Sequence, residues 1–112
     1  MDLTTQKCAP CEGGVKPYGP EDIRKRMQDL TTVWEVVNDH SIRREFTFKD
    51  FKAAMAFINR VADLAESEGH HPDIHCFWNK VVLELWTHAI DGLSINDFIM
   101  ARKTEEIERA RA

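Results

Sequence analysis

The sequence predicts an α+β fold in which three helices pack on one face of a four-stranded antiparallel sheet. Two stretches rich in β-branched and aromatic residues, 34–48 and 74–88, are each interrupted by a short turn signal, which predicts two hairpins. A long amphipathic stretch separates them, and further helical stretches precede and follow them. Two hairpins separated by a helix most simply form one antiparallel sheet, in the order α-β-β-α-β-β-α.

Chain length and turn residues predict the domain organisation. The 112 residues favour a single domain. Residues 1–19 carry little apolar pattern and are punctuated by Gly13, Gly14, Pro17 and Gly19, which predicts a flexible N-terminal arm. The domain itself is predicted to span 20–112.

The first helix and the first hairpin follow the arm. Pro20 suits a first helical position, and the apolar residues that follow at helical spacing predict a helix over 20–30. Strands are predicted over 34–37 and 41–48, with turn chemistry at 38–40. Arg44 shares a face with Ile42, Phe46 and Phe48, so it is expected either on an edge strand or with its stem covering the core.

The longest predicted helix begins at Asp50 and ends at Gly69, a residue typical of helix C-termini. Pro72 blocks any continuation of that helix. Seven apolar residues form a continuous stripe that is expected to face the core: Phe51, Ala54, Met55, Ile58, Val61, Ala62 and Ala65.

The second hairpin is predicted from strands over 74–78 and 81–88, with a tight turn at Asn79 and Lys80. One face of the last strand carries Val82 and Trp86, and it lies opposite the helices. That face needs a cover, so self-association is expected. Trp34, Trp78 and Trp86 are all expected in the core or at an interface.

The last helix is predicted to start after a turn at Asp91 and Gly92. Ser94 is the expected N-cap, and Asp97 stands where a capping-box acid would stand. Residues 105–112 are strongly charged and are expected to form a solvated helical turn or to fray.

Composition excludes several classes of function. The net charge of -4 and the pI of about 5.7 argue against nucleic acid as a partner, and the basic run 24–26 is expected to be a solvated helix face. The sequence shows neither a signal peptide nor a long apolar run, which predicts a cytoplasmic protein without membrane contact. Three cysteines do not indicate a disulfide framework.

Histidines are the residues that point to chemistry. His70, His71 and His88 are candidates for proton transfer, because imidazole titrates near neutral pH. The simpler alternative is that the adjacent pair only caps the long helix, and that His88 is a core or rim residue. His40 and His75 are expected on the surface.

A metal or redox site is not expected. Cys8 and Cys11 form a lone Cys-x-x-Cys, but no second ligand pair has the spacing of a zinc site. A thioredoxin-like βαβ context is missing as well. The two thiols are expected to lie in the arm without a role.

The segment Glu66-Ser-Glu-Gly-His70-His71-Pro72-Asp, with Trp78, His88 and Asp97 at fixed offsets, resembles the signature of the pterin-4a-carbinolamine dehydratases. The likeness covers about 34–100. The run 96–100 and the arm with its two cysteines resemble bacterial members that accompany phenylalanine hydroxylase. The departures from the family pattern are Ile74, Ala89 and Asn96.

The resemblance implies an enzyme that dehydrates 4a-hydroxytetrahydropterin to quinonoid dihydropterin, without metal or cofactor, and so recycles the pterin of aromatic amino-acid hydroxylases. It implies acid/base roles for His70 and His88, with His71 orienting the substrate. Pterin binding is expected to involve Glu66, Pro72, Trp78 and Asp97. A dimer or tetramer and a functional link to phenylalanine hydroxylase are also expected.

Two alternatives stay open at this level. The first is a pterin-binding protein of molybdopterin metabolism, in which the same pocket takes a different pterin. The second is a non-enzymatic dimerisation or transcriptional coactivator module.

Overall fold

A computed structural model describes residues 1–10 and 13–110. A short 3-10 turn, Leu3–Thr5, precedes the regular elements, and a second one, His88–Ile90, lies before the last helix. The helices and strands are α1 (Pro20–Met27), β1 (Glu35–Val37), β2 (Ser41–Thr47), α2 (Phe51–Glu68), β3 (Asp73–Phe77), β4 (Lys80–Leu85) and α3 (Ile95–Ala110).

The four strands form one antiparallel sheet in the order β1-β2-β4-β3. The register sets Ile42 and Ile74 beside Leu85 and Leu83 of β4, on the face that packs against the helices. Both hairpins and the predicted α+β class are therefore confirmed. Strand β3 is an edge strand, and pairing with β4 sets Asp73 and Phe77 at opposite ends of the sheet.

Several predicted boundaries are wrong by a few residues. The first helix ends at Met27 rather than at residue 30. The last strand ends at Leu85, so His88 lies in a 3-10 turn instead of closing a strand. The turn of the second hairpin falls on Trp78, which has a φ of 51°, and on Asn79, one position before the prediction.

The ends of α2 follow from local chemistry. The Asp50 carboxylate accepts a hydrogen bond from the Ala53 N–H at 2.8 Å, and Gly69 ends the helix in the left-handed region with φ 68°. The buried face differs from the predicted stripe, because Phe57 is buried and Phe51 is 49% exposed. The stripe is centred on Ala54, Phe57, Val61 and Ala65.

Arg44 resolves the choice that the sequence left open. Its strand, β2, lies between β1 and β4, so the edge-strand alternative is wrong. The guanidinium carbon lies 4.3 Å from the centre of the Phe46 ring, and Glu108 of α3 accepts a hydrogen bond from the guanidinium at 2.9 Å. The side chain therefore covers the core between sheet and helix.

The N-terminal segment contributes to the core. Leu3 and Cys8 are both buried, and the Cys8 N–H donates to the Glu68 carboxylate at 2.8 Å. The division into an arm over 1–19 and a domain over 20–112 stays a prediction, but these two side chains pack within the domain. Cys11 lies outside the described residues.

The charged C-terminal stretch is not a frayed tail through the part that the structure describes. Helix α3 continues to Ala110, and Glu105 is only 3% exposed. Its carboxylate accepts hydrogen bonds from the backbone N–H and hydroxyl groups of Thr31 and Thr32 and from the Trp34 indole N–H. We call this arrangement the Glu105 clasp; it ties the segment before β1 to α3.

Candidate active site

Two adjacent histidines leave the end of α2 where the chain reverses. The left-handed Gly69 donates its N–H to the Ala65 carbonyl at 2.9 Å, and the His70 N–H shares the same carbonyl. Pro72 then carries the chain into β3. The pair does not simply cap the helix, because each imidazole has a carboxylate partner.

The partner of His70 is a fully buried acid. Its Nε2 lies 2.6 Å from Oδ1 of Asp97, which has no exposed surface. The other oxygen of Asp97 accepts hydrogen bonds from the Thr87 hydroxyl at 2.8 Å and from the Ser94 N–H at 3.0 Å. The Ser94 contact confirms the predicted capping role of Asp97. A carboxylate only accepts hydrogen bonds, so this contact favours the tautomer of His70 that carries its proton on Nε2.

His71 makes the equivalent contact at the surface. Its Nε2 lies 2.6 Å from the Glu66 carboxylate, which comes from the last turn of α2. Both side chains are more than half exposed, so water screens this pair far more than the His70 pair. The contact orients His71 without burying it.

His88 reaches the same region from the turn after β4. A bridge between Thr87 and Gly92 holds the base of this turn, with the Thr87 N–H donating to the Gly92 carbonyl at 2.7 Å. The His88 ring stacks on the Trp86 ring, with centroids 3.8 Å apart and planes 17° from parallel. The indole N–H of Trp86 donates to the Asp73 carboxylate at 2.9 Å.

These elements enclose an open cleft of about 370 Å³. Its lining contains Gly69, His70, His71, Pro72, Asp73, Trp86, Thr87, His88 and Ala89. Four of the predicted site residues therefore share one cleft: His70, His71, Pro72 and His88. Asp97 and Glu66 stand behind two of the histidines.

Trp78 is the predicted site residue that the fold sets apart. It lies at the tip of the second hairpin, is 63% exposed, and does not line the cleft. Five residues of extended strand separate this tip from Pro72. The prediction of a core or interface position is confirmed for the buried Trp34, whereas Trp86 is only partly buried.

Asp73 and Trp86 also line the cleft, although the sequence did not single them out as site residues. The available signal was weak: Trp86 is two residues before His88 on one face of a strand pattern, and Asp73 directly follows the His-His-Pro run. His40, which the sequence predicts only as a surface turn residue, also lies beside the cleft, because the centre of its ring is 4.5 Å from that of Trp86.

One buried group in the N-terminal segment has a shifted proton equilibrium. Burial and the neighbouring Glu68 carboxylate raise the pKa of Cys8 to about 12. Burial also opposes ionisation of Glu68, yet the Lys103 ammonium and the Cys8 N–H outweigh it and lower the pKa of that carboxyl. Cys8 is therefore a protonated thiol. Separately, the described residues contain no cluster of three or more potential metal ligands.

Comparison with known proteins identifies the family. The sequence pattern of the pterin 4 alpha carbinolamine dehydratase family matches residues 16–107. The chain belongs to this family. A protein of Alkaliphilus metalliredigens that is named after this family is 45% identical over 105 residues, which are 94% of this chain and 95% of that protein. The mitochondrial pterin-4-alpha-carbinolamine dehydratase 2 of Arabidopsis thaliana is 42% identical over 96% of this chain and 59% of its own length.

Solved structures agree with this assignment. The crystal structure of a transcriptional coactivator/pterin dehydratase from Brucella melitensis superposes with a TM-score of 0.76 and 32% identity, covering 82% of this chain and 98% of that one. A pterin dehydratase-like RuBisCO assembly factor of the alpha-carboxysome shares the fold, with a TM-score of 0.60 and 20% identity over 69% of this chain and 90% of that one. Pterin-4a-carbinolamine dehydratases are hydro-lyases, so the predicted family and the prediction of an enzyme are confirmed.

Within the described ranges, no helix is long and apolar enough to cross a bilayer.

Proposed function

We propose that the cleft dehydrates 4a-hydroxytetrahydropterin to quinonoid dihydropterin by acid/base catalysis with His70 and His88. The single observation that carries the proposal is that imidazoles from two separate chain segments line one cleft. Imidazole is the side chain best suited to give and take protons near neutral pH. Family membership supports the substrate class.

The reaction needs two proton transfers. The bond between C4a and its hydroxyl oxygen breaks while an acid protonates that oxygen, which leaves as water. The N5 lone pair forms the C4a–N5 double bond, and a base takes the N5 proton. Redox and Lewis-acid chemistry are not required by this balance.

Each imidazole is supported differently for these steps. The buried Asp97 fixes the tautomer of His70, so Nδ1 of His70 can exchange a proton with the pterin. His88 is solvent-exposed and stacked on Trp86, so it can exchange protons with water between turnovers. His71, held by Glu66, and Pro72 beside it bind and orient the ring in this proposal.

The test uses single substitutions His70→Ala and His88→Ala. Substrate is generated chemically, and formation of the quinonoid product is followed with and without protein. Positioned acid/base groups contribute about 10²–10⁴-fold, so each variant should lose most of its turnover while keeping its circular dichroism spectrum. Asp63→Ala is the control, because Asp63 is exposed on α2, outside the cleft. Native turnover in either variant would reject the assignment.

We also propose that the protein is a homo-oligomer. Phe77 and Trp78, at the end of edge strand β3, are each 63% exposed, and Ile74 on the same strand is 36% exposed. Exposed apolar side chains beside an unpaired strand edge favour contact with another copy. Because Trp78 lies outside the cleft of its own chain, its predicted role in pterin binding requires the cleft of a second copy. Light scattering of Phe77→Ser against the native protein tests this; an unchanged mass would argue against this surface.

The cellular context of the proposal is recycling of pterin for aromatic amino-acid hydroxylases, with phenylalanine hydroxylase as the functional partner, in the cytoplasm. This context is supported if the turnover of a phenylalanine hydroxylase accelerates when this protein is added to its reaction. A coactivator function is the second candidate, because the Brucella melitensis relative is described as a transcriptional coactivator as well as a pterin dehydratase. Such a function would survive His70→Ala, which separates the two.

A further inference from the structure

We propose that Trp86 is the positioning residue of His88, and that Asp73 fixes Trp86 in place. This inference rests on the proposed function, because it assigns His88 a proton-transfer role. It adds an indole to the set of groups that orient the cleft histidines.

The three cleft histidines differ in the contacts that hold their rings. His70 and His71 each have a carboxylate oxygen 2.6 Å from Nε2. In contrast, no side-chain hydrogen bond is found for the His88 ring among the residues that the structure describes. Proton transfer requires a ring held within a narrow range of orientations. The stack on Trp86 is the contact that can supply this.

The indole is itself held from several directions. Its N–H donates to the Asp73 carboxylate at 2.9 Å, and Asp73 is fixed at the start of β3 by pairing with Glu84 of β4. The His40 ring lies 4.5 Å from the Trp86 ring, and its Nε2 is 2.8 Å from the Asp91 carboxylate. Trp86 is therefore a fixed surface rather than a free side chain.

The stack also suits the charge that catalysis creates. An indole carries negative potential on its face, so it attracts a positively charged imidazole. His88 takes this form whenever it accepts a proton. The Asp73 carboxylate, bound to the indole N–H, adds a negative charge at the edge of the same ring. Thus a carboxylate stands behind each cleft histidine, directly for two of them and through Trp86 for His88.

A different use of Trp86 makes an opposite prediction. If the indole binds the pterin ring directly, removing it raises KM. If it positions His88, removing it lowers kcat and leaves KM nearly unchanged. The split between the two constants therefore decides between a substrate contact and a positioning role.

The experiment measures kcat and KM for Trp86→Ala, Trp86→Phe, Asp73→Ala and Asp73→Asn in the full chain. Trp86→Ala should lower kcat about tenfold or more, a substantial part of what a positioned acid/base group contributes. Trp86→Phe keeps a stacking surface but has no N–H for Asp73 to hold, so it should recover only part of that loss. Asp73→Asn keeps an acceptor for the indole N–H but removes the charge, so it should lose less turnover than Asp73→Ala, which removes both. Asp63→Ala, at an exposed position on α2, is the matched control.

The decisive comparison is made in a His88→Ala background. There Trp86→Ala should cause no further loss, because a residue that acts through His88 has nothing left to position. Full additivity of the two changes, or a rise in KM with native kcat, overturns the inference. If Trp86→Ala fails to fold, the Asp73 pair and Trp86→Phe carry the same test.

A readout independent of turnover separates this inference from the proposed function. Because the two rings stack, we expect the indole ring current to shift the His88 imidazole proton resonances upfield in the NMR spectrum. Trp86→Ala should return them to ordinary positions, and Asp73→Ala should move them part of the way, whether or not the reaction is the one proposed. Unchanged resonances in both variants would show that Trp86 does not hold His88. Native turnover in His88→Ala would instead refute the catalytic role of His88, while shifted resonances would still show that Trp86 holds the ring.

Discussion

Replacing Asp97 with asparagine separates two tasks that one carboxylate performs. One oxygen lies 2.6 Å from His70 Nε2, and the other accepts hydrogen bonds from Thr87 and Ser94. The carbonyl oxygen of the introduced amide can keep the Thr87 and Ser94 contacts, which leaves its NH₂ group facing His70. Nε2 must then accept instead of donate, and the His70 proton moves to Nδ1. Asp97→Asn therefore changes the tautomer of the imidazole while the helix cap remains.

The contacts set the size of each effect. Thr87 and Ser94 each donate to the Asp97 carboxylate, and a hydrogen bond to a charged group is worth about 1.5–3 kcal/mol. Asp97→Ala loses both of these bonds and the His70 contact, so it should destabilise the fold by at least about 3–6 kcal/mol. In Asp97→Asn the same two bonds become neutral ones, and the expected loss is about 1–3 kcal/mol. The two variants should both lose turnover, by about 10²-fold or more, because a wrong tautomer cannot exchange the required proton.

Denaturant unfolding followed by circular dichroism gives the stability of each variant, and the stopped assay gives its turnover. Asp63→Asn, on the exposed face of α2, is the control for the chemical change alone. The reasoning fails if Asp97→Asn turns over at the native rate. It also fails if both variants lose equal stability, since the cap would then not depend on an oxygen at this position.

Two further predictions concern groups away from the cleft. Glu105→Gln leaves at least one N–H donor of the Glu105 clasp facing an NH₂ group, so it should lower the free energy of unfolding in denaturant by about 1–3 kcal/mol. Glu106→Gln, on the more exposed side of α3, is the control and should lower it by under about 0.5 kcal/mol. Equal effects of the two changes would contradict the clasp. Burial raises the pKa of Cys8 to about 12, whereas the pKa of an unfolded cysteine is about 8.5. Between these two values only the unfolded state loses its proton. The free energy of unfolding should therefore be independent of the Cys8 thiol below about pH 8.5 and should decline as the pH rises towards 12. Cys8→Ala should remove that decline, and mass spectrometry after brief alkylation at pH 8 should find Cys76 modified well before Cys8.

Local chemistry was enough to predict much of this fold. The ends of α2 follow from an acid that caps its first turn and a glycine that adopts positive φ at its last one. The turn of the first hairpin follows from Asn38 and Asp39, which both adopt positive φ. The meeting of His70 with His88 and Asp97 was predictable only because their spacing matches a known family.

What could not be predicted depends on contacts between distant segments. The local sequence around Glu105 is typical of a charged surface helix. Its burial depends on the hydrogen-bond donors of the segment before β1, which lies far away in the sequence. Leu3 stands in a stretch without periodicity, so its burial has no local signal. The Trp86 stack depends on where β4 ends, and strand ends are set by pairing register more than by residue type.

The reversal at Gly69 has a consequence for which sequences can carry this cleft. A β-carbon placed there would meet no atom within 4 Å, so crowding does not restrict the position. The restriction is torsional: φ of 68° is easy for glycine, tolerable for asparagine or aspartate, and costly for valine or isoleucine. Among natural sequences, the residues found at position 69 should therefore be those that adopt positive φ easily, whatever the volume of their side chains.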